Sequence, residues 1–449
     1  MPLKFVFGPS GSGKSTYLYQ HVIEESEKYP LKNFIVLVPE QFTMQTQKDL
    51  VSMHPRHGIM NIDVLSFARL AYRVFEETGT KQMQVLDDEG KNLILRKIAG
   101  DYENKLTVLK GNIKKLGYIS EVKSVISEFT QYDIGEEEMD EMLDHLDEDS
   151  RLYYKLKDIR LLYEGFQDYL RERYITKEEL LDVLNSQVKE SELLKNSVVV
   201  LDGFTGFTPV QNRLILELMR CCKEVWVTVT MDERENPYAY KHPYQLFGLS
   251  KQMVTTLVRM AGEDHIEVEE PVCLYGYPVK RFEKNQELAF LERNIFRYGS
   301  GRYDKAVENL EIHAAGNPRQ EADAVAEGIR RLVRKDQYRY RDIGVIVSDM
   351  NVYGDYLEQA FENYGIPVFM DHKRSILLNS FVEYIRSLLN MAEKNFSYES
   401  VFRFLRTNLA GFACEEVDEL ENYVLGLGIR GYKGCLLYTS DAADDSLRV

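Results

Sequence analysis

One segment near the N-terminus fixes the local fold more tightly than any other. The apolar run of residues 3–7 leads into Gly-Pro-Ser-Gly-Ser-Gly-Lys-Ser at 8–15, and a helix-like segment follows over 17–27. This is the pattern Gly-x-x-x-x-Gly-Lys-[Ser/Thr], in which glycines let backbone N–H groups turn inward around phosphate oxygens. The sequence therefore predicts a strand, a phosphate-binding loop and a helix, in that order.

Two residues at the end of the loop have different chemical roles. Lys14 supplies a cation for the β- and γ-phosphates, and the Ser15 hydroxyl is suited to bind Mg²⁺. We therefore predict that the loop binds the phosphates of a nucleotide together with Mg²⁺, and an ordinary glycine-rich turn is the alternative. The predicted phosphate-binding residues are Gly8, Ser10, Gly11, Ser12, Gly13, Lys14, Ser15 and Thr16.

Length and composition limit the class of protein. A chain of 449 residues is too long for one ordinary core, so two or three domains are expected. The net charge of −16 argues against a protein that coats nucleic acid through bulk electrostatics, although it leaves room for a local basic channel. No apolar stretch is long enough to span a bilayer and no signal peptide is recognisable, so we expect a cytoplasmic protein without a membrane partner.

Apolar runs alternate with helical segments near the N-terminus and again around residues 198–229. Strands are predicted at 34–38, 62–65, 198–201 and 225–229, and this alternation favours an α/β fold with a parallel sheet. Between about residues 85 and 190 the pattern is helical without strand signals, which indicates a large helical insertion.

Two further segments complete the predicted organisation of the chain. A second α/β unit is predicted from about residue 310, with strands at 311–314, 343–347 and 366–369. Residues 435–449 follow neither a helical nor a strand period, and we expect them to be a non-native tail, with a disordered natural tail as the alternative.

Three segments beyond the loop resemble motifs of superfamily 1 DNA helicases. They are residues 38–43, 65–72 and 200–211. Across residues 1 to about 434 the chain is similar to the AddB family, the B-type component of the bacterial ATP-dependent helicase/deoxyribonuclease. The phrases that carry the resemblance are PEQFTMQTQ, LSFARLAYRVF, VVLDGFTGFTPVQ, RDIGVIVSDMNVYGDYLEQAFENYGIPVFMD and ELENYVLGLGIRGYKG.

The resemblance implies an architecture. It implies a first RecA-like P-loop NTPase core from residues 1–85 and 195–275, interrupted by the helical insertion at 86–194. It also implies that residues 276–434 begin a second RecA-like domain with a helical segment. The family's nuclease domain, with its [4Fe-4S] cluster, lies in a C-terminal part that this chain lacks.

The resemblance also implies a function. The chain would be the helicase-like part of a subunit that pairs with an AddA-type helicase/nuclease and processes double-strand DNA ends for recombinational repair. It would guide single-stranded DNA and scan it for the Chi hotspot. Asp202 would bind Mg²⁺ with Ser15, and Arg319 would reach the nucleotide. The predicted strand-contacting residues are Gln41, Thr43, Phe67, Arg69, Tyr72 and Phe207.

One departure from the helicase pattern changes the expected chemistry. The residue after Asp202 is Gly203, where an active motor has a carboxylate that orients the attacking water. We therefore expect ATP to bind and hydrolysis to be poorly supported. A stand-alone P-loop NTPase or small-molecule kinase, and a structural module with bound ATP, remain the alternative functions.

Several residues have simpler interpretations. Asp202 fits an ordinary loop residue, and Phe207 fits a core aromatic. Thr43 opens a helix and fits an N-cap residue or its neighbour. Arg69 and Tyr72 lie three positions apart and fit a solvated helix face. Arg319 fits a helix-start residue that pairs with Glu321 or Asp323.

Overall fold

The computed structural model describes residues 2–79, 84–113, 115–171, 174–299, 301–370, 376–429 and 431. The chain divides into two compact units, Met1–Glu311 and Ile312–Val449, and each is described by itself. The predicted tail at 435–449 lies outside the described residues.

The strands that the structure describes all belong to the first unit. In chain order they are β1 (Leu3–Gly8), β2 (Asn33–Leu37), β3 (Ile62–Leu65), β4 (Gln84–Leu86), β5 (Tyr174–Thr176), β6 (Ser197–Leu201), β7 (Glu224–Thr230) and β8 (Val272–Cys273).

Helices are found in both units. In chain order they are α1 (Lys14–Lys28), α2 (Thr43–Met53), α3 (Phe67–Thr78), α4 (Asp88–Asp101), α5 (Leu116–Gln131), α6 (Glu136–Asp144), α7 (Arg151–Leu170), α8 (Leu180–Gln187), α9 (Glu192–Lys195), α10 (Pro209–Cys221), α11 (Gly248–Glu263), α12 (Gln286–Asn294), α13 (Pro318–Lys335), α14 (Met350–Asn363), α15 (Ser380–Glu393), α16 (Tyr398–Leu405) and α17 (Cys414–Leu427).

Six parallel strands form the main sheet, in the order β3-β2-β6-β7-β1-β8. Strands β6 and β7 pair so that Leu201 lies opposite Val227, and β1 pairs with β7 so that Gly8 lies opposite Thr230. Since all strands run the same way, their carboxyl ends meet at one edge, which is where ligands bind in open α/β sheets. The predicted α/β fold class with a parallel sheet is confirmed.

Both faces of the sheet are buried, and successive strand residues alternate between them. Phe5 of β1 and Val227 of β7 face one side, together with α3, α8, α10 and α11. Val6 of β1 and Trp226 of β7 face the other side, together with α1 and α2. Burial on both faces explains why these strands are continuous apolar runs in the sequence.

The predicted helical insertion has a hydrophobic core of its own. Helices α4, α5, α6 and α7 pack around residues from Leu86 to Leu170. Between them, Lys91 is 2% exposed and its Nζ lies 2.7 Å from Oε2 of Glu178, so this buried cation is paired. Helix α8 lies inside the predicted insertion, yet its Leu180 and Leu184 belong to the core beneath the main sheet.

The prediction of helices alone between residues 85 and 190 was wrong at one place. Strand β5 pairs in parallel with β4, so that Val85 lies opposite Ile175. Three residues are too few to produce a readable alternation, and the pairing partner lies about ninety residues earlier in the chain.

The second unit is helical in the residues that the structure describes. Helices α13 and α14 pack through Ala326 and Phe361, among others, while Phe402 and Leu405 of α16 pack with α17. The strands predicted at 311–314, 343–347 and 366–369 were wrong for this chain, because none of these segments is a strand and Ile346 is 98% exposed. A strand needs a neighbour to take its N–H and C=O groups, and the described part of this unit supplies none.

Leu37 tests the core beneath the sheet. It is fully buried on β2, so Leu37→Ala leaves a cavity and lowers the free energy of unfolding by about 2–5 kcal/mol. Urea unfolding followed by fluorescence measures this directly, because Trp226 is the single tryptophan of the chain and lies in the same sheet. Leu31, which is 89% exposed, provides the control, and Leu31→Ala shifts the value by less than about 0.5 kcal/mol. Equal effects of the two changes would contradict the assigned core.

Candidate nucleotide-binding site

The predicted phosphate loop connects β1 to α1 at the carboxyl edge of the sheet. Gly11 and Gly13 have φ values of 82° and 93°, in the left-handed region that favours glycine. Gly8 is required for a different reason, because a Cβ there would clash with Oγ of Ser12 and lie 2.9 Å from the carbonyl oxygen of Leu274. The three glycines therefore allow a backbone turn that side chains would block.

Lys14 begins α1 and folds back over the loop. Its Nζ donates hydrogen bonds to the carbonyl oxygens of Gly8 at 2.9 Å and Pro9 at 3.0 Å. Burial lowers the pKa of the Lys14 ammonium from 10.5 to about 8, against the opposing attraction of Asp202. The amine is therefore held in place, and an incoming polyphosphate would favour its charged form.

Asp202 lies at the end of β6 and is 5% exposed. Its carboxylate accepts hydrogen bonds from Ser15 at 3.1 Å, from Thr228 at 2.6 Å and from Tyr19 at 2.7 Å. Burial and the neighbouring carboxylate both raise the pKa of the Tyr19 phenol above its usual value, so it stays a donor. These bonds tie α1, β6 and β7 together at the loop.

The donor set suits both predicted cofactors. Mg²⁺ prefers carboxylate and hydroxyl oxygens, which Asp202 and Ser15 provide side by side. The adjoining cavity measures about 470 Å³, within the usual range for small-molecule sites. Its walls come from Ser10, Gly11, Gly13, Lys14, Ser15, Thr16, Asp202, Gly203, Phe204, Thr205, Thr228, Thr230, Lys280 and Arg281.

Not every predicted loop residue faces this cavity. Ser10 and Thr16 line it, whereas Gly8 and Ser12 are not among its lining residues. The Ser12 N–H donates to the Pro9 carbonyl at 3.2 Å, and its hydroxyl is buried without a hydrogen-bond partner among the described residues. Ser12 therefore contributes to the turn through its backbone N–H and its buried side chain.

Sequence reasoning missed Lys280 and Arg281. They follow β8 by several residues and lie more than 260 positions after the loop. No motif marks them in the sequence, since a basic pair in an irregular segment is common, and only the parallel pairing of β8 with β1 places them beside the loop.

The predicted nucleotide contact Arg319 belongs to the second unit. It is an exposed residue in the first turn of α13, whose N-cap is Asn317. Among the ion pairs of the described residues, none joins Arg319 to Glu321 or Asp323, and Glu321 accepts a hydrogen bond from Tyr353. Its role toward the nucleotide remains a prediction.

The predicted strand-contacting residues follow the three strands β3, β2 and β6, which are neighbours in the sheet. Gln41, Arg69 and Tyr72 are exposed beyond the strand ends. These three side chains are accessible to a ligand at the same edge of the sheet as the phosphate loop.

The other members of that set are less accessible. Thr43 is 5% exposed, and its hydroxyl donates to the Glu40 carbonyl at 3.0 Å, while the N-cap position of α2 is Phe42. Phe67 is 8% exposed and its ring packs 6.4 Å from that of the half-buried Phe207. These two aromatic rings form part of the packing at the sheet edge.

Comparison with known proteins identifies the family. A family model described as "ADDB, N-terminal" matches residues 5–292, which is more than half of the chain. The chain belongs to the AddB family. A protein from Lachnoclostridium phytofermentans, named as the B-type component of an ATP-dependent helicase/deoxyribonuclease, is 45% identical over 438 residues, covering 96% of this chain and 38% of that protein.

Two further relatives of the same name agree. The one from Clostridium kluyveri is 36% identical over 431 residues, covering 96% of this chain and 37% of its own length. The one from Caldanaerobacter subterraneus is 36% identical over 452 residues, covering all of this chain and 38% of its own length. The chain thus spans less than two fifths of these relatives, and the predicted family resemblance is confirmed.

Among the described helices, none is both long enough and apolar enough to cross a bilayer.

The pKa of Lys14 predicts how the affinity for Mg·ATP changes with pH. The amine loses its proton as the pH rises through about 8, so the affinity for Mg·ATP falls by about tenfold per pH unit above that value. Isothermal titration between pH 7 and 9.5 measures this slope, over a range in which the terminal phosphate is already ionised.

Lys14→Met is the matched control for this titration. It lacks the titrating amine, so its weaker affinity should not change with pH over the same range. A wild-type affinity that stays constant up to pH 9.5 would contradict the assignment.

Proposed function

We propose that this chain is the helicase-like, ATP-holding part of an AddB-type subunit in a heterodimeric ATP-dependent helicase/nuclease. In this proposal the complex processes DNA double-strand breaks for recombinational repair in the cytoplasm. The chain binds ATP and Mg²⁺ without efficient hydrolysis, guides single-stranded DNA and scans it for the Chi hotspot. An AddA-type subunit supplies the active motor.

The observation that carries the proposal is the composition of the cavity. Asp202 is the single carboxylate among its described lining residues, and it already accepts three hydrogen bonds from hydroxyls. Gly203, which has a φ of 79°, follows where an active motor needs a second carboxylate. The cavity therefore offers groups suited to bind polyphosphate and a metal ion. Glycine at position 203 cannot orient the attacking water.

Strand guidance is supported by the surface beside this cavity. The exposed Arg69 and Tyr72 belong to α3, and Gln41 follows the adjacent strand β2. An arginine can contact phosphate, an aromatic ring can stack on a base, and a glutamine can bond to a base edge. Without a power stroke, such a surface holds a moving strand while its bases are sampled.

The names of the relatives support the heterodimer. Each is named as one subunit of an ATP-dependent helicase/deoxyribonuclease, the B-type one, which implies a companion subunit. The family's nuclease and [4Fe-4S] cluster belong, in this proposal, to a part of the full-length protein that lies outside this chain.

Nucleotide binding and turnover test the first half of the proposal. We expect the chain to bind Mg·ATP and to hydrolyse less than about 1 ATP per second at saturating single-stranded DNA, below the range typical of enzymes. Lys14→Ala should weaken ATP binding by at least about tenfold, since a charge-assisted contact is lost. Equilibrium titration and a phosphate-release assay give the two values.

Two results would contradict this expectation. Turnover of tens of ATP per second stimulated by single-stranded DNA would indicate a working motor. Phosphoryl transfer to a small molecule in the absence of DNA would indicate a kinase.

Tyr72 and Arg69 test strand binding. Tyr72→Ala removes a stacking platform and should weaken the affinity for a single-stranded oligonucleotide by about 5- to 150-fold. Arg69→Ala should lower the slope of log affinity against log salt by about one, because one phosphate contact is lost. Fluorescence anisotropy at several salt concentrations measures both effects.

Tyr244→Ala serves as the matched control, since this tyrosine is 85% exposed and follows β7 rather than β2 or β3. In the complete heterodimer, the Tyr72 and Arg69 variants should also reduce hotspot-dependent protection of the DNA. An unchanged hotspot response together with unchanged strand affinity would reject the assigned surface.

A further inference from the structure

A basic pair outside the phosphate loop lies against it. Lys280 and Arg281 begin a short 3₁₀ helix, Lys280–Phe282. The Arg281 N–H donates to the Gly11 carbonyl at 3.0 Å. A Cβ at Gly11 would lie 2.8 Å from Cβ of Arg281, and one at Gly13 would lie 3.2 Å from Cδ of Lys280. The two glycines therefore also make room for this segment.

The sheet holds the segment in position. Strand β8 pairs in parallel with β1, so that Cys273 lies opposite Phe7. The next residue, Leu274, donates its N–H to the Phe7 carbonyl at 2.8 Å, and Val279 is buried just before the basic pair. Backbone pairing and one buried side chain thus fix where Lys280 and Arg281 leave the sheet.

Both side chains are available for a ligand. They are exposed and line the same cavity as Lys14 and Ser15. Within the described part of the chain, neither of them forms an ion pair or a side-chain hydrogen bond. Lys14, Lys280 and Arg281 line one cavity, so all three side chains place positive charge in the same space.

A bound anion would offset the positive charge of these side chains. Lys14, Lys280 and Arg281 place three cations around a cavity whose described walls contain one carboxylate, Asp202. A Mg²⁺ ion beside Asp202 would add further positive charge. The arrangement is suited to a highly charged polyphosphate, and an arginine fork matches phosphate geometry with two parallel hydrogen bonds.

We propose that Lys280 and Arg281 form a second cationic arm that binds the terminal phosphates of a nucleoside triphosphate. The inference rests on the proposed function, because it assumes that the loop holds ATP. It adds that the first unit completes its own triphosphate site, with an arginine supplied from beside β8. The site should therefore prefer a triphosphate to a diphosphate.

The test compares ATP with ADP. Isothermal titration with the 449-residue chain in the presence of Mg²⁺ gives dissociation constants for wild type, Lys280→Ala, Arg281→Ala and the double variant. We expect each single change to weaken ATP binding by about tenfold or more and ADP binding by less than about threefold. Inorganic tripolyphosphate, used as a probe without the nucleoside, should follow ATP.

Lys284→Ala is the matched control. Lys284 is an exposed lysine in the same segment that does not line the cavity, so its loss should leave both affinities unchanged. The fluorescence of Trp226 checks that every variant keeps the folded sheet.

The outcomes distinguish a failure of the cationic arm from a failure of the proposed function. If Lys14→Ala loses ATP while the Lys280 and Arg281 variants bind like wild type, the arm is overturned and the phosphate site stands. An equal loss of ATP and ADP affinity overturns the assignment to the terminal phosphates. A folded wild-type chain that binds no ATP overturns the proposed function and the arm together.

Discussion

The buried carboxylate of Asp202 is the contact on which the site depends. It accepts hydrogen bonds from Ser15 and Tyr19 of α1 and from Thr228 of β7, so three elements that are distant in sequence meet at one group. An unpartnered buried carboxylate would be costly, and these hydroxyls offset that cost. The same contacts fix the start of α1, and with it the phosphate loop, against the edge of the sheet.

In the function proposed for this chain, holding a nucleotide and cleaving it depend on different groups. The glycines, Lys14 and Ser15 need only a backbone turn and the end of a helix, which the sheet supplies. Cleavage needs one more carboxylate at a defined position, and Gly203 occupies the place that follows Asp202. A fold can therefore keep its binding groups after losing a single catalytic one, and it can then serve as a guide.

Much of the first unit could be predicted from the sequence. Strands β1, β2, β6 and β7 are buried on both faces, so each contains an apolar run that marks it in the sequence. The burial of Thr43 and Phe67 was not predicted. Phe67 lies on the same buried helix face as Leu70 and Val74, so the spacing of three and four residues could have indicated it, whereas a polar threonine gives no such signal. Lys280 and Arg281 were not predicted as site residues. The strand that brings them to the loop, β8, has only two residues, and its partner β1 lies at the start of the chain. The strands predicted in the second unit failed because apolar runs describe a strand's preference, while pairing decides whether it forms.

The chemical identity of the nucleotide held after binding tests the central claim most directly. The chain is mixed with ATP and Mg²⁺ in the presence of single-stranded DNA, separated from free nucleotide after many seconds, and denatured, and the released nucleotide is then identified by chromatography. A passive holding site predicts that intact ATP is recovered. Recovery of ADP in an amount equal to the occupied sites would show that the pocket still cleaves its ligand and would contradict the account.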